Sequence, residues 1–522
     1  MSNILLILFP SQLFDSQYIK KIFSYTEDNT KIKSRHICLW EHSYFFTKFP
    51  YHKMKLVFHH STMTKYYDSI KLNEYSKLYL KTDENPSKLD KYIKSNNIDQ
   101  IRFFNPIEKD LITMIMTNKI INQVEKLVFP SPYFLNSTNF DKNKMINEKL
   151  GGLRHDLFYK SQRIEYNLMV KKSGDKYIPD GSKWSYDTEN RSPFEKSQEE
   201  PSLLKFKSKK RQEYLEEAVN YVEKNFPSHY GKTDLNNFIY PIDREEALEW
   251  LKYFVANKLD KFGKYEDALS SRIKFGFHSV LSPLTNIGLI TPQDIINEVR
   301  GYKKNMASKE GFIRQVIGWR EYCYFTYDLY SNNLEINSLY KSNSYSIPKY
   351  VWENSTQIPP IDNILKNVSE NAYSHHIERL MGIGNFLVLI ETNPKEIYNW
   401  FQTMYIDAYD VFMIPNVYGM LCYGKLNEKS HMMTRPYFAS SNYLIKMSDY
   451  KSTTCVKIGN DIYKWDEIMD ALYWYHIYKY SIEFKKIYAT SSGVARWEKF
   501  DSNKKKSVIE LAKKYINWIH KK

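Results

Sequence analysis

Asn3-Ile4-Leu5-Leu6-Ile7-Leu8-Phe9 opens the chain with six apolar residues in seven and no charge. A short continuous apolar run, as opposed to an alternating one, is what a strand covered on both faces requires. No basic stretch precedes it and no small-residue cleavage pattern follows, so it reads as the first strand of a core and not as a secretion signal. Similar β-like runs recur at His36 to Trp40, Lys77 to Leu80, Gln100 to Phe104 and Lys126 to Phe129. Amphipathic segments lie between them, among them Tyr51 to Ser69 and Pro86 to Ser95. Strands alternating with helices predict a parallel, Rossmann-like α/β sheet over residues 1–130.

Beyond this unit the pattern changes. Residues 131–211 are polar, with Gly, Ser, Pro and Asp in Lys171 to Asp175, Pro179 to Lys183 and Ser192 to Glu200. They read as an interdomain linker with one helix around Lys149 to Met169. The basic run Lys207, Lys209, Lys210, Arg211 reads as a solvated helix start, with a nuclear-targeting or phosphate patch as the alternative. From 212 to 522 the apolar spacing is helical, clearest in Tyr214 to Phe226, Ile313 to Tyr327 and Val508 to Ile519. The expected architecture is therefore an α/β domain, a long linker and an all-α domain.

Composition narrows the classes. The 522 residues suffice for two or three domains, and 42 % hydrophobic with 16 % aromatic content excludes a disordered chain. No apolar run approaches the ~18–20 residues of a membrane helix. Cys38, Cys323, Cys422 and Cys455 lie far apart without a Cys-x-x-Cys pair. That argues against a disulfide framework and a four-thiolate metal site, and predicts a soluble, intracellular protein. The net charge of +15 favours phosphate backbones. A Lys-rich, AT-rich coding bias would give the same surplus, and would suit a large DNA virus or a low-GC microbe.

Several chemical signatures are missing: no Gly-x-x-x-x-Gly-Lys loop, no His-Glu-x-x-His, no Gly-x-Ser-x-Gly. Gly382-Ile-Gly384 lacks a third glycine and a preceding strand. His59-His60 lies in a helical stretch with no third ligand nearby and reads as surface. What remains is Phe277-His278-Ser279-Val280-Leu281-Ser282-Pro283, which sets hydroxyls and free N–H groups ahead of a Pro-started segment suited to a diphosphate. Gln315, Trp319 and Arg320 follow at helical spacing. His376 and Arg379 lie one turn apart, and Asp407 falls in an aromatic-rich segment. Taken singly these read as a helix cap and a structural ion pair; their shared order is what carries a functional reading.

In this order the sequence resembles the photolyase/cryptochrome flavoproteins, specifically the bacterial-type, photolyase-related branch, similar to iron–sulfur (6-4) photolyases. The segments that carry the resemblance are Trp184-Ser-Tyr-Asp-Thr-Glu-Asn-Arg191, Phe262-Gly-Lys-Tyr-Glu-Asp-Ala268, Phe277 to Pro283 and Gly311-Phe-Ile-Arg-Gln-Val-Ile-Gly-Trp-Arg-Glu-Tyr322. It continues through His375-His-Ile-Glu-Arg-Leu-Met381, Asp407-Ala-Tyr409, Pro415-Asn-Val417, Arg435-Pro-Tyr-Phe-Ala-Ser-Ser-Asn-Tyr443 and Met447-Ser-Asp-Tyr450. The N-terminal half matches more loosely, through Ser11-Gln-Leu13, Glu41 and Tyr51-His-Lys-Met-Lys55.

The resemblance implies FAD as cofactor and UV-damaged DNA as partner, without a membrane and as a monomer. It implies Tyr265, His278, Ser279, Leu281 and Ser282 at the flavin diphosphate, with Gln315 and Arg320 on the helix lining it. Arg379 and Asp407 would be the ion pair beside the isoalloxazine, a fork strong enough to fix that geometry in a dry pocket. The implied reaction is light-driven electron transfer from reduced FAD to a pyrimidine photoproduct flipped out of the duplex. His376, beside His375, would move a proton onto the lesion. Tyr437 and Tyr443 would offer stacking faces with polar tips. Glu41 would mark the pocket of a ribityl-lumazine antenna, and Trp352 and Trp400 stand at electron-relay positions.

Three departures accompany the resemblance. The branch's four cluster cysteines fall on Pro360, Lys451, Thr454 and Glu467, and Cys455 is one residue off a ligand position. Such clusters need four thiolates, so no iron–sulfur cluster is expected. Lys451 and Glu467 are candidates for an ion pair or for plain surface residues. Phe401 stands where a tyrosine often follows, which predicts slower photoreduction or another route. Met413, six residues after Asp407, replaces the Glu of the branch or the Asn of other photolyases. The favoured reading is a (6-4) photolyase. The alternatives are a cyclobutane-dimer photolyase, a cryptochrome-like photoreceptor and a flavoprotein that binds damaged DNA without turnover. A photoreceptor would be expected to carry an extended signalling tail, where this sequence ends in an amphipathic helix. A basic rim around the flavin pocket and a largely neutral antenna domain are expected.

Overall fold

Five strands form one sheet: β1 (Ser2–Leu8), β2 (Ile32–Trp40), β3 (Ser76–Leu80), β4 (Gln100–Phe104) and β5 (Glu125–Phe129). Their order is β3-β2-β1-β4-β5 and every pairing is parallel. β1 is central, and its run Ile4 to Leu8 is apolar and at most 2 % exposed, as a strand covered on both faces must be. The computed structural model describes residues 2–25, 31–71, 73–85, 87–136, 146–147, 152–181, 183–426, 430 and 432–521. β2 begins four residues before its expected start, where Ile32-Lys33-Ser34-Arg35 alternates in exposure and conceals the strand.

The helix expected over Tyr51 to Ser69 spans Lys53–Ser69, capped by the His52 ring, which accepts from the Met54 N–H at 3.1 Å. It is not amphipathic in its first three turns. Lys53 to Met63 are all buried, and the helix Lys209–Asn225 packs on it. His59 and His60, expected at the surface, are fully buried, a correction that follows from cover on both sides. Pro86, the expected start of the next helix, lies outside the described residues; the helix runs Ser87–Ser95.

In the linker the helix is His155–Glu165, shorter than expected; Lys149 lies outside the described residues. Asn167 and Met169, at φ 47° and 51°, follow its end. An unforeseen hairpin pairs Val170–Ser173 with Lys176–Pro179 around Gly174 at φ 61°. Ser208 caps the Lys209–Asn225 helix. Arg211 is not solvated as expected: it is buried, pairs with Glu246 and donates to the Tyr240 carbonyl at 2.8 Å.

The remainder is helical apart from a second unforeseen hairpin, Cys455–Ile458 with Asp461–Lys464, turned at Gly459 with φ 65°. Three segments adopt the wider π-helical turn: Arg314–Arg320, Glu378–Gly384 and Ile414–Leu421. Such turns mark functional sites more often than ordinary helix. Among the described residues no helix is long and apolar enough to cross a membrane. Residues 1–130 hold 19 Lys and Arg against 13 Asp and Glu, so the expected neutrality of the sheet domain does not hold.

The sheet domain braces the segment that carries Asp407. The His52 N–H donates to the Thr403 carbonyl at 2.8 Å, and Lys55 Nζ to the Ala408 carbonyl at 2.6 Å. The Tyr44 hydroxyl lies 2.8 Å from Asp410 and 3.0 Å from Glu108. Burial and then the adjacent Asp410 push the Glu108 carboxyl up to about 8, which favours its protonated form at neutral pH.

Candidate functional site

Arg379 leaves one of the π-helical turns and meets Asp407 in a two-bond fork of 2.9 and 3.0 Å, while its Nε donates to the Ser374 carbonyl at 2.8 Å. Tyr405 and Tyr373 lie 4.2 and 5.2 Å from the guanidinium. Burial works against the charge on Arg379, and Asp407 outweighs it, raising the pKa further. Asp407 is held from two more directions: Ser282 Oγ donates to its carboxylate at 2.6 Å and Asn286 Nδ2 to its carbonyl at 2.8 Å.

The turn Phe277 to Pro283 contains Val280 at φ 51°. A β-branched residue in the left-handed region costs of order 1–3 kcal/mol and persists only where its surroundings over-determine it. Here Trp250 Nε1 donates to the Ser279 carbonyl at 2.8 Å and Lys258 Nζ to the Gly276 carbonyl at 3.0 Å. Leu281 is buried at the start of the short helix Ser282–Asn286. Two hydroxyls assigned to a diphosphate are engaged within the protein: Ser282 with Asp407, and Tyr265, stacked on Phe277, with Glu195 at 3.2 Å. The Ser279 hydroxyl accepts from the Leu281 N–H at 3.4 Å.

His278 and His375 stack at 4.4 Å between ring centres, and His376 meets His278 edge-on at 5.5 Å. One ring nitrogen of each lies within 4.8 Å of the others, a spacing that a divalent ion would accept. Burial pushes His278 and His375 well below the ordinary imidazole value, so both are neutral. His375 Nδ1 is buried with no hydrogen-bond partner among the described residues. Its other nitrogen lies 3.6 Å from Glu378, whose carboxyl burial pushes up to about 8. The His376 side chain is 46 % exposed, 3.5 Å from Asp267, which in turn lies 4.0 Å from Arg191. Burial and then Asp267 push the Tyr443 phenol up, with Arg191 opposing. Tyr437, half-buried, carries the Arg435 guanidinium 5.5 Å from its ring. Asp267 and Arg191 were not singled out by the sequence reading, although both end in quoted motifs.

Gln315, Trp319 and Arg320 each bond to a different partner. Gln315 donates to Glu266 at 2.8 Å and Trp319 Nε1 to Asn416 at 3.0 Å. Arg320 is caged by Tyr133, Phe134 and Phe412 at 4.9, 4.9 and 4.6 Å. It reaches Asp407 only through Asn286, to which it donates. Met413 is buried in the same region. Trp400 is buried, its indole N–H has no partner among the described residues, and its ring lies 6.4 Å from that of Trp352. Phe401 stacks on Tyr405 at 5.2 Å.

Glu41 lies in the sheet domain, fully buried, bonded to His60 Nδ1 at 2.5 Å and to the Tyr79 hydroxyl at 2.7 Å. His60 Nε2 meets Glu217 at 2.8 Å, and its ring stacks on Tyr221 at 4.0 Å. Burial works against a charged ring, but the two carboxylates outweigh it and bring His60 up to about 9. A cavity of about 570 Å³ opens beside this group, with Tyr67, Tyr79, Tyr214, Lys81, Lys210 and Glu217 in its wall.

At the cluster positions Trp465 is fully buried; its indole N–H donates to the Lys451 carbonyl at 2.8 Å and its backbone N–H to the Thr454 carbonyl at 3.3 Å. Glu467 accepts from the Lys464 N–H at 3.1 Å and makes no ion pair with Lys451. Pro360, Lys451, Thr454 and Glu467, the positions to which the resemblance points, carry no thiol and would not hold a thiolate-bound cluster.

The chain belongs to the photolyase/cryptochrome family, in its photolyase-related branch. Residues 7–238 match the family model described as deoxyribodipyrimidine photo-lyase-related protein. A (6-4) photolyase of Agrobacterium fabrum is 31 % identical over 378 residues, 71 % of each chain. Among solved structures, a Synechocystis cryptochrome matches with TM-score 0.52 at 14 % identity, over 81 % of this chain and 82 % of that one. An archaeal photolyase from Sulfolobus tokodaii with two FAD molecules matches with TM-score 0.51 at 14 % identity, over 85 % and 87 %. At these identities the structural likenesses carry the fold.

Proposed function

We propose that the chain is a light-dependent DNA-repair flavoenzyme that binds FAD and reverses (6-4) photoproducts. The observation that carries this reading is His376, half-exposed at the mouth of the site, in ring contact with the buried His278 and 3.5 Å from Asp267. Two buried polar atoms without partners among the described residues support a flavin here: His375 Nδ1, and Arg320 Nε, whose guanidinium is linked to Asp407 through Asn286. Bound FAD supplies the light-driven electron. The chain's own residues do the rest. Arg379 and Asp407 fix a charged edge away from water, with Ser282 from the strained turn at Val280 donating to Asp407. His376 holds and returns the proton at the lesion, an imidazole being suited to that task near neutral pH. Asp267 steadies the charged ring. Tyr437 and Tyr443 offer faces to the flipped bases, and exposed Lys264, Arg272 and Lys274 offer charge to the strand.

The Tyr-walled cavity beside Glu41 supports an antenna chromophore of the ribityl-lumazine class, stacked on Tyr67, Tyr79 or Tyr214 with Lys81 and Lys210 toward its polar groups. A photoreceptor reading is favoured by Met413 and Phe401, which depart from the repair enzymes' pattern.

A light-versus-dark assay on two oligonucleotides, one with a (6-4) photoproduct and one with a cyclobutane dimer, tests the proposal. Repair of the first in light, lowered about 10²–10⁴-fold in His376→Ala, is the expected result. Cyclobutane repair that survives in His376→Ala points to the dimer enzyme. Repair of neither lesion, with flavin bound and photoreducible, assigns the chain to the photoreceptors.

A further inference from the structure

We infer that Lys55 is a positioning residue of the flavin site: from the sheet half it seats the backbone beside Asp407 and supplies a buried positive charge that favours the reduced over the oxidised flavin. The inference rests on the flavin-binding reading above. Lys55 closes the motif Tyr51-His-Lys-Met-Lys55. The repair chemistry proposed above makes no use of its charge.

The amine is enclosed. Lys55 is 1 % exposed, and its Nζ donates to the Ala408 carbonyl at 2.6 Å. The Tyr51 and Tyr409 rings stand 4.5 and 4.9 Å from it, a surrounding that suits a cation. Both rings are fixed in turn: the Tyr51 hydroxyl donates to the Tyr44 carbonyl at 2.8 Å, and the Tyr409 hydroxyl meets His59 Nε2 at 2.8 Å. At the same helix end the His52 N–H holds the Thr403 carbonyl. Between Thr403 and Ala408 lie Tyr405, the ring 4.2 Å from the Arg379 guanidinium, and Asp407 itself.

Its charge sets Lys55 apart from an ordinary brace. In the same region Lys48 is matched by Asp410 at 2.9 Å and Arg379 by Asp407 at 2.9 Å. Lys55 meets no carboxylate at ion-pair distance among the described residues; its one hydrogen-bond acceptor there is the Ala408 carbonyl. A buried cation without a counter-charge is costly, and it marks a place prepared for negative charge. Burial draws the Lys55 amine down to about 7, with Asp407, Asp410 and Glu108 opposing. Each electron that a flavin beside the fork accepts adds negative charge there. That charge attracts the ammonium, so reduction is favoured and the amine holds its proton more tightly. Arg379 cannot supply the same effect, because Asp407 already balances it.

The test uses the full chain loaded with FAD at about pH 6, where the amine carries its proton. Dye-equilibrated spectroelectrochemistry gives the midpoint potential of the bound FAD, and fluorescence titration in the dark gives the affinity for oxidised FAD. Lys55→Met removes the charge and the donor together, whereas Lys55→Gln removes the charge and keeps a donor for the Ala408 carbonyl. Both should lower the ratio of reduced-flavin to oxidised-flavin affinity by about tenfold, read as a lower midpoint potential. Lys55→Gln should bind oxidised FAD as tightly as the wild type does. Lys71→Gln, the same change of charge on a 73 % exposed side chain, should leave the potential where it is. An unchanged potential in Lys55→Gln overturns the inference and leaves the flavin reading intact, and weaker binding of both oxidation states would then mark Lys55 as a brace alone. An equal shift in Lys71→Gln also overturns it. A wild-type chain that takes up no FAD, read from absent flavin absorbance, overturns both readings.

Discussion

His60 in the sheet domain and the stacked pair His278 and His375 in the helical domain are almost equally removed from water, yet their charges differ. His60 is clasped by Glu41 at 2.5 Å and Glu217 at 2.8 Å and stays protonated to about pH 9. His278 has no carboxylate within ion-pair distance, and the acid near His375, Glu378, is itself pushed up to about 8 and carries no full charge at neutral pH. Both rings are held neutral. Burial penalises the charged ring in both places, and the presence of a charged carboxylate decides the outcome. One domain holds imidazole as a cation between carboxylates, the other holds it neutral.

The strongest way to break this contrast is to place an uncompensated charge in the helical domain. Asp407→Ala leaves Arg379 buried without its partner and should cost about 3–5 kcal/mol in urea denaturation. The second attacks the other side. His60→Gln removes the cation between two carboxylates and should cost about 3 kcal/mol at its fullest. Because His60 is raised when folded, its contribution is complete below the unfolded value of about 6.5 and disappears as pH rises through about 9. The wild type should therefore weaken over that interval and His60→Gln should stay flat. An equal decline in both proteins would assign the titration to another group. His278 and His375 have the opposite sign, since neutral rings favour the fold above about pH 6.5 and oppose it below. His375→Gln should make the acid limb of the stability curve shallower. Gly231→Ala forces a Cβ against His52 in a left-handed turn and should cost about 1–3 kcal/mol by thermal denaturation. His376→Ala should change stability least, by about 0.5 kcal/mol or less, because the ring is half-exposed. A large loss there would make His376 part of the scaffold.

What the sequence displayed was what periodicity encodes. β1 was legible because Ile4 to Leu8 are apolar without interruption, as in a strand covered on both faces, and β4 through Ile101, Phe103 and Phe104. The first residues of β2 were not, since Ile32-Lys33-Ser34-Arg35 shows alternation at a sheet position where one face is still wet. The burial of His59 and His60 was hidden because a polar residue on a helix gives no sign that its partner, Glu217 or Tyr409, arrives from more than 150 positions away. The two hairpins had a local signal in Gly174-Asp175 and Gly459-Asn460, which was passed over. The Arg379–Asp407 fork was reached by family resemblance, because 28 residues separate its members and spacing alone could not pair them. The partners of Gln315, Trp319 and Arg320 lie 49, 97 and 34 positions away, so helical spacing alone could not name them.

Lys55 sends its amine across from the sheet half to the Ala408 carbonyl, one residue beyond Asp407, while His52 grips Thr403 and Tyr44 reaches Asp410. The two halves are therefore not exchangeable parts. A chimera that joined this helical half to another sheet domain would need a lysine, a histidine and a tyrosine at matching positions. Without them the carboxylate that partners Arg379 would lose its seat. Recombination between relatives at the linker should yield folded proteins with a loosened Arg379–Asp407 fork unless the crossover carries that brace with it.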